Sequence, residues 1–492
     1  VAPLLVFFFT ARTRATLRHA RAPPIPRHGR AGDTVAAVTS TVNAGAPEDL
    51  RQRIATLMPG VVEDLKALTR IPSVSLGSFD QQHVDDSARA VAKLLEAEGM
   101  DVKVVSEGGR PAVIAHKEGP AGSPRVLMYA HHDVQPPGDD ADWQSPPFEP
   151  TERDGRLYGR GAADDKAGVM AHIAAIRAWG DDLPCTVTLF IEGEEEIASD
   201  SLPALLRTYA DELTSDVLVL ADSANWAVGT PALTTTLRGT VRAVVTVRTL
   251  AHSVHSGMFG GAVPDSLTTL CRLLATLHDD AGSVAVAGLD SDENVDIDYT
   301  PEELRRDAGM LEGTQLIGTG PLTARLWRGP SITVIGLDAT GVDVASNTLA
   351  ASSRAKLSLR VAPGQDPQAA YEALAEHLRS HAPWGAQVEV ELEEIGSGFD
   401  ADATGPLYDE ARAAFRDAWG SDPVDVGIGG SIPFVSLFAE MMPNAALLVT
   451  GVEDPDTRAH GANESLHLGE FAKVCLAEAV LLQRVAKASD GA

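Results

Sequence analysis

Short apolar runs alternate with stretches of helical period from about Pro47 to residue 222. Glu48 and Asp49 open the amphipathic stretch LRQRIATLMPGVVEDLKALTR, closed by Ile71 and Pro72, which predicts a helix kinked or split at Pro59. A second helix is predicted over 85–98, ended by Gly99. Strand-like runs follow at 101–106, 112–116 and 125–130, then a helix at 165–179, a buried strand at 185–192, a helix at 202–213 and a strand at 216–221. Such alternation predicts an α/β layer, a largely parallel sheet with helices on both faces.

Beyond Asp222 the pattern changes. Residues 234–250 look like a long strand pair, followed by a helix at 264–278, strands at 331–337 and 356–361, a helix at 367–381 and a cleanly alternating strand at 387–393. Two helices among four or more strands suggest an inserted α+β unit of ferredoxin-like type. The acidic stretch 289–311 is expected at its periphery. From Pro406 the alternation returns, with a strand at 445–450 and a terminal amphipathic helix at 468–486. The chain therefore divides into an extension (1–40), a first domain in two parts (41–233 and 397–492) and an insert (234–396).

The strand ends carry the chemistry. The run Val126 to Ala130 ends in His131, His132 and Asp133; CTVTLFIE runs into Gly193, Glu194, Glu195 and Glu196; DVLVLA runs into Asp222. A Gly-punctuated loop, Tyr158 to Ala163, leads to Asp164, Asp165 and Lys166 at a predicted helix start. A lone acid after a strand is ordinarily a helix cap, and a run of three glutamates is ordinarily a solvated face. Convergence argues otherwise. In an open α/β sheet, ligands gather beyond the carboxyl ends of the strands, and a set of His, Asp and Glu suits a hard or borderline divalent cation. His460, after the 445–450 strand, adds a second imidazole.

Composition narrows the setting. At 492 residues two domains are expected, and 44% apolar content describes a globular chain. A net charge of −29 argues against a nucleic-acid partner. Cys185, Cys271 and Cys475 form no CxxC pair and are odd in number, which suits a reducing, cytoplasmic setting and excludes a cysteine zinc site. The start of the chain differs from the rest: apolar VAPLLVFFF precedes arginines 12, 14, 18, 21, 27 and 30, the reverse of a secretory signal and too short to span a bilayer. A targeting segment is the weaker reading of residues 1–40; a disordered or wrongly included extension is the preferred one. No membrane association is expected.

The motifs HHDVQPP, GRGAADDKAG, EGEEEIAS, LADS, VHSGMFGG, GGSIP and HGANE occur in that order. Together they resemble the carnosinase-like metallodipeptidases, within the wider group of aminoacylases, acetylornithine deacetylase, succinyl-diaminopimelate desuccinylase and carboxypeptidase G. DVQPP with the Trp143 to Pro150 segment, and aspartate at Asp222, resemble the dipeptidase branch most. The resemblance implies two divalent metal ions, zinc first with manganese or cobalt as alternatives, bridged by Asp164. One ion would take His131 and Asp222, the other Glu196 and His460, with a water or hydroxide between them. Glu195 matches the general base and Asp133 the acid that orients a ligand imidazole. The family often has a cis peptide after the residue matching Asp164.

The resemblance further implies that the insert is a lid through which two copies dimerise. His255 of one copy would reach the other's site to stabilise an oxyanion, with His252 as its competitor for that role. Arg360 would grip the terminal carboxylate of a peptide substrate, and the GGSIP turn, with Gly430 and Ser431, would meet the same end. Some positions depart from the pattern. Ala198 stands where the family has Gly, and Gly427 and Ile428 replace a charged pair of mammalian carnosinases. His132 should point away from the site on strand alternation, His467 reads as a helix-entry residue and His172 as core or support. The expected function is a zinc-dependent, homodimeric dipeptidase acting on short peptides with a free C-terminal carboxylate. The alternatives are an N-acyl amino acid amidohydrolase with the same metal core and a non-catalytic peptide-binding relative.

Overall fold

A computed structural model describes residues 48–430 and 433–490. The extension expected over 1–40, and Ser431 of the GGSIP turn, lie outside the described residues.

The large sheet is mixed. Its order runs Asp101–Val105, Ala112–Lys117, Thr186–Glu192, Arg125–His131, Val217–Leu220, Ala446–Val449, Ala232–Leu237 and Phe399–Asp400, with Val424–Ile428 also paired to Ala232–Leu237. The four strands from Thr186–Glu192 to Ala446–Val449 are mutually parallel, whereas antiparallel strands close both flanks. The parallel centre is what a βα alternation produces, because a helix must carry the chain back between strands.

Side-chain alternation along Arg125–His131 shows why helices cover both faces. Val126, Met128 and Ala130 enter one core with the helices Glu48–Thr69, Lys166–Trp179, Pro406–Trp419 and Leu468–Asp490. Leu127 and Tyr129 enter the other, against Leu202–Thr208 and Pro433–Met441. Tyr129 stacks on Phe434 there, with ring centroids 4.2 Å apart. A strand buried on both faces reads as a continuous apolar run, as this one does.

Three local expectations are corrected. The first helix runs unbroken through Pro59 over Glu48–Thr69, because Pro59 and Gly60 lie on its exposed face, where water can meet the carbonyl that proline leaves unpaired. The strands expected to pair within 234–250 do not pair with each other. Ala232–Leu237 belongs to the large sheet and Gly239–Arg248 to a separate four-stranded sheet, so the chain changes sheet at Arg238. The helix expected at 202–213 is interrupted at Tyr209.

The second sheet has the order Ser331–Leu337, Ser352–Val361, Gly239–Arg248, Gln387–Gly396, all antiparallel. With helices Ser266–Ala275 and Pro367–Ser380 it follows the βαββαβ succession of a ferredoxin-like unit. Asp265 and Asp366 cap the two helices, each accepting a backbone N–H from the first turn. Both helices pack on one face of the sheet, around Val241, Val245, Leu357 and Leu374. The acidic segment beyond residue 289 is mostly exposed, as expected.

Candidate active site at the strand ends

Each polar end of the central strands arrives at one place. His131 closes its strand, Glu195 and Glu196 lie in the 3-10 turn after Thr186–Glu192, and Asp222 follows Val217–Leu220. Asp164 precedes the helix Lys166–Trp179, joined to Asp165 by a cis peptide. His460 comes in from the loop after Ala446–Val449, with φ of 61°.

Asp164 stands between the two imidazoles. Its Oδ1 is 3.2 Å from His131 Nε2 and its Oδ2 is 3.0 Å from His460 Nε2. Asp222 Oδ2 lies 4.0 Å and Glu195 Oε2 3.9 Å from His131 Nε2, while Glu196 Oε2 lies 3.5 Å from His460 Nε2. Donor atoms of His131, Glu195 and Asp222 fall within 4.8 Å of one another, and so do those of His131, Asp164 and Glu196.

The electrostatics explain what such a cluster requires. Burial holds Glu195 and Glu196 well above the usual carboxylate range, and the neighbouring acids push the same way. Burial likewise raises Asp222, to about 6. Asp164 goes the other way: despite burial, its contacts with His131 and His460 keep it low. Uncompensated carboxylates packed this closely resist ionisation unless a cation joins them.

Whether the donors fit a metal can be tested on His131. Its Nδ1 lies 3.1 Å from the Asp133 carbonyl oxygen and 3.4 Å from Asp133 Oδ1, so the ring proton belongs on that side. Nε2 is buried, faces the acids at 3.2 to 4.0 Å and makes no hydrogen bond of good geometry. An orphaned imidazole nitrogen facing a ring of N and O donors suits a divalent cation. Two overlapping donor groups meet here, with His131 common to both and Asp164 between the two imidazoles.

Supporting residues that sequence reading passed over hold these groups. Gln135, inside the HHDVQPP motif, donates from its backbone N–H and from Nε2 to the Glu196 carboxylate, at 3.0 and 2.7 Å. Asp133 accepts the Glu196 N–H at 3.1 Å, so it braces Glu196 as well as His131. Glu464, the last residue of HGANE, is buried and accepts from Arg160 Nη1 and from the backbone N–H groups of Gly161, Ala163 and Asp164. It ties the loop before Asp164 to the segment bearing His460. Both residues sit inside motifs whose presence was noted; only the fold shows what they touch.

Other expectations resolve individually. His132 points away, its Nε2 2.9 Å from the Pro111 carbonyl, and burial lowers its pKa to about 4. His467 accepts the Glu470 N–H at the start of the terminal helix. His172 is core, with Nδ1 2.8 Å from Glu478. His255 is exposed, its Nδ1 accepting from Gly257 N–H, and among the described residues no ion pair or hydrogen bond joins it to the cluster. Arg360 lies half-buried on the strand Ser352–Val361, opposite Ser331 and Thr240. Gly430 follows the strand Val424–Ile428, one residue after Gly429, whose carbonyl accepts from Arg238 Nε at 2.9 Å.

Comparison with known proteins places this geometry in context. The family model "Peptidase family M20/M25/M40" matches residues 127–484. The chain is 36% identical over 414 residues to the cysteinylglycine-S-conjugate dipeptidase of Corynebacterium striatum, covering 82% of this chain and 90% of that protein. It is 29% identical to the Beta-Ala-His dipeptidase of Rattus norvegicus, covering 85% of each. Among solved structures it is similar to human carnosine dipeptidase 1, with a TM-score of 0.75 and 26% identity over 90% of this chain and 100% of that one. The dipeptidase Dug1p of Saccharomyces cerevisiae gives a TM-score of 0.74 and 25% identity over 89% of this chain and 98% of that one. With a strand-end cluster of the kind such enzymes need, and a family match over most of its length, this chain belongs to peptidase family M20/M25/M40.

Proposed function

We propose that this protein is a metal-dependent dipeptidase that hydrolyses short peptides carrying a free C-terminal carboxylate. The observation that carries the reading is Asp164, with one carboxylate oxygen toward each of two imidazoles and further acids on either side. The dipeptidase names of the relatives point to the same reaction. In this reading His131 and Asp222 would hold one divalent ion and Glu196 and His460 the other, with Asp164 available to both. Zinc is the first choice, with manganese or cobalt as alternatives of the same donor preference. Ions bound there would polarise the scissile carbonyl and lower the pKa of attacking water.

The protein's own groups do the rest. Glu195 takes a proton from the water and hands it to the leaving amine. Asp133 and Gln135 fix the orientation of His131 and Glu196. Arg360, with Gly430 and Ser431 of the GGSIP turn, receives the substrate's terminal carboxylate.

The ferredoxin-like unit acts as the lid and dimer interface. Its edge strand Ser331–Leu337 exposes Val334, Ile335 and Leu337, an apolar edge that a second copy would cover. His255, exposed and unconnected to its own chain's cluster, then serves the partner's site.

The test is hydrolysis of an unblocked dipeptide and of an N-acetyl amino acid by metal-reconstituted protein, with a chelator control. Chelator-sensitive cleavage of the dipeptide alone is expected. Cleavage of the acyl substrate alone would make the protein an amidohydrolase, and silence on both would leave a peptide-binding relative.

A further inference from the structure

Among the described residues, one acid beside this cluster has no side-chain partner and no assigned task. Glu453 lies in the loop after the strand Ala446–Val449 and is paired by its backbone to the segment directly following Asp222. Its N–H donates to the Ser223 carbonyl at 3.4 Å, and its own carbonyl accepts the Asn225 N–H at 2.9 Å. Gly451 makes this approach feasible: a Cβ there would fall 1.5 Å from the Ser223 oxygen. Residue 453 is therefore pinned beside a strand end that carries a proposed ligand.

Its side chain differs from every acid around it. Glu464 is paired with Arg160, Asp454 with Arg156, and Asp133 lies against His131. Among the described residues, no hydrogen bond or ion pair reaches the Glu453 carboxylate, although Asp164 and Asp222 lie within its electrostatic reach. Its carboxylate is not among the donor atoms that fall within 4.8 Å of one another around His131. It remains partly accessible. Burial and the neighbouring acids hold its carboxyl well above the usual carboxylate range, so its ionised form is favoured when a cation arrives beside it.

Resting on the dipeptidase reading above, we propose that Glu453 receives the free N-terminal ammonium group of the substrate and so sets the preference for dipeptides over N-acylated amino acids. An ammonium offers three N–H donors to a carboxylate, in a charge-assisted contact that an acyl chain cannot make. A terminal amine lies on the acyl side of the scissile bond, the side opposite to the carboxylate that Arg360 would hold. The contact accordingly discriminates at the end of the substrate where the two reaction classes differ.

The experiment compares Ala-Gly with N-propionylglycine, which differ by the amine alone. Full-length, metal-loaded wild type, Glu453→Gln and Glu453→Asp are assayed, with metal content measured for each. Dissociation constants for both compounds are measured calorimetrically in Glu195→Gln protein with and without the Glu453→Gln change. For Glu453→Gln, kcat/KM on Ala-Gly should fall about 10²-fold, the scale expected when one member of a desolvated charge pair is removed. N-propionylglycine should respond far less, Ala-Gly binding should weaken in parallel, metal content should hold, and Glu453→Asp should recover part of the loss. Equal losses on both substrates, or loss of metal, would assign Glu453 to site architecture and overturn the proposal while leaving the dipeptidase intact. Wild type that cleaves N-propionylglycine but not Ala-Gly would instead sink the dipeptidase reading itself.

Discussion

Glu195 and Ala198 stand three residues apart in one turn, and they differ in how much of their role local chemistry decides. Glu195 lies half-buried among acids and a histidine, where a water exchanging protons with it can reach it. Glu195→Gln should keep both metal ions and lose about 10²- to 10⁴-fold in kcat, the usual worth of a general base; near-normal turnover with full metal content would remove it from that role. Ala198 adopts φ 76°, where the family's glycine would sit without strain. A left-handed non-glycine residue costs about 1–2 kcal/mol, of which glycine's extra unfolded-state freedom takes back about 0.4–1. Ala198→Gly should therefore raise stability by up to about 1.5 kcal/mol, read as a higher denaturation midpoint. A lower midpoint would show that the turn has already absorbed the methyl group.

Between elements, two buried pairs deserve separate predictions. Arg160 and Glu464 are both almost wholly buried, and Glu464 also takes three backbone N–H groups of the loop that presents Asp164. Glu464→Ala leaves the guanidinium uncompensated and should cost about 3–5 kcal/mol. The milder Glu464→Gln should weaken metal affinity about 10- to 100-fold, as loss of a supporting contact does; unchanged affinity would make the pair purely structural.

The second pair joins the helices Lys166–Trp179 and Leu468–Asp490 through His172 and Glu478. Burial pulls the His172 pKa down, but Glu478 and the Tyr129 carbonyl outweigh it, and the folded value lies above the ordinary 6.5. A raised folded pKa means stability fully present below about pH 6.5 and lost as pH climbs through the folded value. The stability difference between wild type and His172→Gln should accordingly shrink from pH 6 toward pH 9 in denaturant titrations. A difference that widens with pH would mean that His172 is buried neutral.

At the scale of the whole molecule, two sheets meet at Arg238. Its guanidinium donates to the Gly429 and Gly329 carbonyls and to Ser331, so one side chain touches the turn beside the proposed carboxylate site and the edge strand of the second sheet. The edge strand supplies the last prediction. Ile335→Asp should convert the proposed dimer to monomer in light scattering and lower activity, because His255 would then lack a site to serve. A variant that remains dimeric would move the interface elsewhere. Among the described residues no helix is long and apolar enough to cross a membrane.

What the amino-acid order determined alone was local. The apolar run Val126 to Ala130, short and closed by polar residues, reads as a doubly buried strand whose end emerges at the sheet's edge. That logic reached His131, Asp164, Glu195, Glu196, Asp222 and His460, since each follows a strand or opens a helix. Sequence reading failed at Thr234 to Leu250, because a strand's pattern reports that one face is buried but not which sheet buries it. It also passed over Gln135 and Glu464, whose contacts lie 61 and 304 positions away, and Glu453, whose proposed role rests on its having no partner among the described residues. Periodicity acts within an element. Which nitrogen meets which carboxylate is decided only when distant elements pack, because burial and charge compensation belong to the assembled cleft.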